Sequence, residues 1–223
     1  HFDSGFDPQT GTLGTGQSFV QFDDLIANGG LNVKGGSFDA EIPYMSQSRR
    51  MTEAEYLNPA ATLDGTGIEL NGFRSGWTYA GAVVNSERTM GAPGAKNFNT
   101  FENAYAWLMR DIGEHAVAVR VYRDRQDPRT VTATASASTQ VDASALIRLP
   151  RVVVVPAYSH QKRADTDTDN TIQTGGLECN VLLDPTARWM LTGRYEQQHV
   201  TSTDGSPSDN LRLATANLSY YVS

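Results

Sequence analysis

Apolar and polar residues alternate with period two over most of this chain, in segments of about 10 residues, and helical periodicity is nearly absent. In "HAVAVRVYRDR", Val117, Val119 and Val121 fall on one side of an extended strand, and Ala118, Arg120, Tyr122 and Asp124 on the other. Successive strand side chains point to opposite faces, so such a strand has one greasy wall and one charged wall. Two architectures need that: a sheet lying on a core, or a wall between lipid and water.

The segments come in pairs joined by tight-turn signals. "NGG" (Asn28 to Gly30), Ser75-Gly76, Asp111 to Glu114, Pro150 and "DPTA" each separate two alternating runs. Such residues tolerate the positive φ, or supply the fixed φ, that a turn demands. Between pairs the connections differ. "PYMSQSRRMTEAEYLNPAATLDGT", "TMGAPGAKNFNT", "QDPRTVTATAS", "ADTDTDNTIQT" and "TSTDGSPSD" read as longer polar loops. Short turn and long loop alternate five times along the sequence. Transmembrane barrels keep this rule, with short periplasmic turns and longer extracellular loops. A Greek-key sandwich has no reason to keep it.

The fold expected is therefore all-β: an antiparallel, up-and-down transmembrane β-barrel, with residues 1–223 in one barrel domain. About eleven strands are visible, and bacterial barrels favour even numbers. The last strand, from Asn210, has no evident partner, so the chain reads as part of a larger barrel. The alternative from another class is a secreted soluble β-sandwich that binds through its loops.

Three details refine the expectation. Trp77, Trp107 and Trp189 all fall near short turns, where interfacial aromatic residues would collect. Leu31 and Val33 keep one parity while Phe38, Ala40, Ile42 and Tyr44 keep the other, which suggests either a glycine bulge at Gly35-Gly36 or a strand that ends there, with "SFDAEIPY" as a loop. "RRMTEAEYL" (Arg49–Leu57) is the best helix candidate, with Thr52 as its cap.

In "NVKGGSFDAEIPYMSQSRR", Gly36, Phe38 and Pro43 form a Gly-x-Phe segment followed shortly by proline. In this stretch the chain resembles bacterial outer-membrane porins of the phosphate-selective type and their relatives. The motif covers about a tenth of the chain, and the barrel pattern nearly all of it. The resemblance implies a strand entering a long inward loop. Related barrels also sheathe multihaem cytochromes. Such barrels usually end on an aromatic residue, whereas "SYYVS" ends on serine.

Composition narrows the chemistry. With 18 Lys+Arg against 25 Asp+Glu, the net charge of −7 argues against nucleic-acid binding. The single cysteine, Cys179, rules out an intrachain disulfide and any cysteine-based zinc or haem site. Asp165, Asp167 and Asp169 in "DTDTDN" are spaced as at the start of a calcium loop, but the glycine and terminal glutamate of that motif are missing. They stand as a weak cation site. His1, His115, His160 and His199 are scattered, and no nucleophile elbow is present. No catalysis and no cofactor are expected.

Charges opposite the apolar sets carry the functional expectation. Lys34, Glu69, Arg120, Asp124, Asp142, Arg148, Glu178, Arg194 and Glu196 would line a lumen, where water removes the cost of burying them. Arg49 and Arg50, in the longest loop, are candidates for a constriction. The expected function is a passive channel for small hydrophilic solutes or ions in the bacterial outer membrane. Its partners would be the lipid bilayer and those solutes, together with another copy of the chain or a periplasmic or extracellular protein. On this reading Arg120 governs conductance and hardly touches stability.

Overall fold

A computed structural model describes residues 2–7, 12–26, 28–39, 64–86, 103–126, 136–165, 169–184, 188–203 and 208–220. The helix candidate at Arg49–Leu57 lies outside these residues. Twelve strands follow one another: β1 (Phe2–Asp7), β2 (Thr12–Ile26), β3 (Leu31–Asp39), β4 (Asp64–Arg74), β5 (Trp77–Ser86) and β6 (Asn103–Ile112). The second half holds β7 (His115–Gln126), β8 (Ser136–Leu149), β9 (Val152–Asp165), β10 (Asp169–Leu182), β11 (Trp189–Ser202) and β12 (Asp209–Tyr220).

All twelve join a single sheet in sequence order, each antiparallel to its chain neighbours. Among the described residues, substantial packing occurs only between consecutive strands, so no second described sheet covers either face. This overturns the sandwich alternative, whose valines would be packed against an opposing sheet. Val117, Val119 and Val121 are instead 44%, 50% and 45% exposed. Among the described residues β1 and β12 are not paired with each other, so the sheet is an open up-and-down array.

The tight turns fall where glycine and asparagine place them. Ser75 and Gly76 both have positive φ (52° and 77°), the type I′ signature, between the paired residues Arg74 and Trp77. Asn28 and Gly29 repeat this pattern at 66° and 71°. The far-end connections are less uniform than expected. "ADTDTDNTIQT" is mostly strand, because β9 runs to Asp165 and β10 begins at Asp169. Thr171 and Thr174 are good strand formers, and their alternation extends the hairpin where polarity alone suggested a loop.

The bulge is also elsewhere. β3 pairs with β4 without interruption from Asn32 to Asp39, straight through Gly35-Gly36. The register shift lies in β2, between Phe22 and Ile26. There Asp24 takes φ of 55°, donates its N–H to Asn32 Oδ1 (2.9 Å) and accepts the Gly29 N–H on Oδ1 (2.5 Å). An aspartate that caps its own turn can hold extra residues that a glycine pair only permits.

Close strand approach sets one firm requirement. A Cβ on Gly67 would meet the Val83 carbonyl oxygen at 2.2 Å and Val84 Cγ1 at 2.6 Å. Gly67→Ala should therefore destabilise the sheet by ~1–3 kcal/mol, read as a lower urea midpoint in detergent. An unchanged midpoint would mean that β4 and β5 can part there freely.

Candidate functional site

Strand parity builds two unlike walls. The outer wall carries Ile68, Leu70, Val83, Leu108, Val141 and Leu191, all exposed. At the short-turn end it is edged by Trp77 and Trp189, the latter against Tyr220 with ring centroids 4.7 Å apart. Toward the opposite end it closes on exposed Tyr158 and Tyr195. An apolar band between two aromatic borders is the outer surface of a membrane barrel. No described helix is long and apolar enough to cross a membrane, so any crossing belongs to the strands. Trp107 departs from expectation. It shares the inner parity with Arg120, its cross-strand partner, and packs against the buried cluster of Ala80, Ala82, Val84, Tyr105 and Tyr122.

The inner wall is polar and largely self-satisfied. On β3 and β4, Lys34 lies directly across from Glu69, with its Nζ 4.3 Å from the Phe19 ring centroid. Glu69 accepts hydrogen bonds from the Tyr105 hydroxyl and, at 2.7 Å, from Asn71 Nδ2. Asn32 continues this chain, donating to Asn71 Oδ1 at 3.0 Å. A cavity of about 380 Å³ opens beside these groups, with Gln21, Asn32, Lys34, Glu69 and Trp107 in its lining.

On β7 and β8, Arg120 faces Asp142 across the ladder and donates from Nε to Oδ2 at 2.6 Å. Gln140 Nε2 donates to the other carboxylate oxygen at 2.8 Å. On β10 and β11, Glu178 stands opposite Arg194, whose Nε lies 3.7 Å from Glu196 Oε2. Asn180 donates to Glu178 Oε1 at 2.7 Å and accepts from Thr192 Oγ1 at 2.6 Å. Each cluster sets opposite charges across the ladder and gives one carboxylate an amide donor from two residues away on its own strand, as low-exposure charges require.

Seven expected residues thus gather on the inner wall: Lys34, Glu69, Arg120, Asp142, Glu178, Arg194 and Glu196. Arg148 does not join them. It has the right parity but is exposed at the short-turn rim, next to the Pro150 turn, where its N–H donates to His115 Nδ1. Asp124 belongs to β7, but its side chain lies outside the described residues, and Arg49 and Arg50 lie outside them entirely. The aspartate trio forms no metal cluster among the described residues. Asp167 and the Asp165 side chain lie outside those residues, and Asp169 is exposed at the start of β10. The neutral partners Gln140, Asn71, Asn180 and Thr192 were not anticipated, although parity placed each opposite an apolar neighbour.

Similarity to known proteins agrees with these walls. Outer-membrane expressed OmpT of Vibrio cholerae superposes with a TM-score of 0.69 at 10% identity, over 95% of this chain and 67% of that one. The fold is that of a bacterial outer-membrane β-barrel. The in-vitro folded form of OmpT gives 0.69 at 10% identity, over 95% of this chain and 66% of that chain. Its trimer form gives 0.63 at 10%, with 95% and 78% covered. The chain thus spans about two thirds of the length of the first two structures. No family model matches the sequence, and no curated protein matches it. These neighbours support an outer-membrane barrel without pointing to the phosphate-selective family. The exposed apolar band is the lipid-facing surface that such a fold presents.

Proposed function

We propose that this chain is the wall of a passive outer-membrane channel for small hydrophilic solutes or ions. The observation that carries the reading is the inner wall, on which both signs of charge are paired cluster by cluster. Three cations (Lys34, Arg120, Arg194) face four carboxylates (Glu69, Asp142, Glu178, Glu196), so the pore has weak ion preference. This reading assigns the chain no catalysis and no cofactor. Gly36, Phe38 and Pro43 alone carry the finer likeness to phosphate-selective porins. Association with further copies of the chain fits the trimer form known for OmpT.

The test is reconstitution of the full-length protein in planar bilayers. Steady conductance with little selectivity is expected. A tight seal would contradict an open channel and point to a plugged barrel, or to a scaffold around a partner such as a multihaem cytochrome. Arg49 and Arg50 are proposed to fold inward as a constriction. Replacing both with glutamine should shift selectivity toward cations; unchanged selectivity would leave their loop as an outside cap.

A further inference from the structure

The chain is acidic overall, with a net charge of −7, yet the described outward charges just beyond the tyrosine border on β7, β9 and β12 are basic. On β7 the outward series Val117, Val119, Val121 ends in Arg123, which is exposed. On β9 the outward series passes Tyr158 and His160 to exposed Lys162. On β12 exposed Arg212 is the next outward position beyond Ala214. Arg123 and Lys162 share one register row through Thr139, so their strands stand roughly 10 Å apart.

Among the described residues of β7 to β12, no outward carboxylate lies level with them. Outward positions at the same end of β8, β10 and β11 hold Thr139, Thr171, Gln173, Gln197 and His199. On these strands the first described outward acid, Asp169, stands beyond Thr171, farther from the apolar band, while Asp39 and Asp64 take outward register positions at the far ends of β3 and β4, three or more strands from Arg123. The short-turn rim differs, mixing Asp111 and Glu114 with Arg148 and Arg151. The cationic surface is therefore one-sided and sits immediately above hydrocarbon depth. There long side chains lay their stems on apolar surface and hold their charges among headgroups.

We propose that Arg123, Lys162 and Arg212 form a binding surface for the phosphate headgroups of anionic lipids, on the leaflet at the long-loop end. The proposal rests on the membrane reading above. Each cation near an anionic surface should favour such lipid about fivefold. In the full-length protein, reconstituted in equimolar phosphatidylcholine and phosphatidylglycerol, native mass spectrometry should find phosphatidylglycerol enriched at least ~5-fold among retained lipids. The triple variant Arg123→Gln, Lys162→Gln, Arg212→Gln should retain the bulk ratio, while Arg151→Gln at the opposite rim keeps the enrichment. A bulk ratio in the unsubstituted protein, or enrichment surviving in the triple variant, would overturn the proposal. So would full competition by millimolar inorganic phosphate, which would mark a soluble-anion site. Failure to enter bilayers at all would overturn both this surface and the membrane reading.

Discussion

Val119→Arg should destabilise the protein by ~2–4 kcal/mol when unfolding is measured in lipid vesicles. Val119 is the central valine of the outward β7 series, flanked across the ladder by Leu108 and Ala143. It lies between the tryptophan and tyrosine borders, so a charge there sits deep in hydrocarbon. Neither neighbour offers a group to receive it, and the backbone polar atoms are already committed to the ladder. The same substitution in a soluble sheet would place the charge in water, at a cost near zero. A loss under ~1 kcal/mol would therefore remove the bilayer from the account of this face.

Arg120→Gln is expected to cost ~1–3 kcal/mol and to raise cation preference at the same time. The sequence alone suggested a conductance effect without a stability effect. The structure revises this, because Arg120 is only 5% exposed and its guanidinium is bound to Asp142. Removing it leaves the carboxylate with the Gln140 amide and no cation bonded to it in this cluster. The Asp142 side chain retains 19% exposure, so water offsets part of the loss seen for fully buried pairs. Asp142→Asn in the same background should restore most of the stability, since neither charge then remains. A double-mutant cycle in urea measures the coupling; additive effects would show that the pair contributes nothing.

Period-two alternation was enough to read the strands, because a one-residue slip would put Val119 inside and Arg120 in lipid. The tight hairpins were legible for a similar reason, with Ser75-Gly76 announcing its own geometry. Register across the far-end connections was not. Nothing local ties Arg120 to Asp142 across residues 127–135, so the charges could be assigned to a face but not to partners. Gln140 and Asn180 were passed over because the search for a polar lumen followed charge, while a buried charge needs neutral donors as well. Trp107 misled because position along a strand sets depth, whereas parity sets face. Arg148 misled in the opposite way, with the right face but too near the turn.

The two border tryptophans carry a further consequence. Trp77 on β5 and Trp189 on β11 lie six strands apart. Following the register through Arg110, Val117, the neighbours of the Ser144–Ala157 pair, and Leu177, the β11 residue level with Trp77 is Tyr195. Trp189 stands six residues short of Tyr195. Both indoles reach the same membrane face only if the strands lean by one residue for each strand crossed. With about 3.3 Å along a strand and 4.8 Å between strands, that lean is roughly 35° from the membrane normal. It is also the inclination at which a sheet begins to roll up on itself, so the curl of the wall is encoded in where two indoles fall.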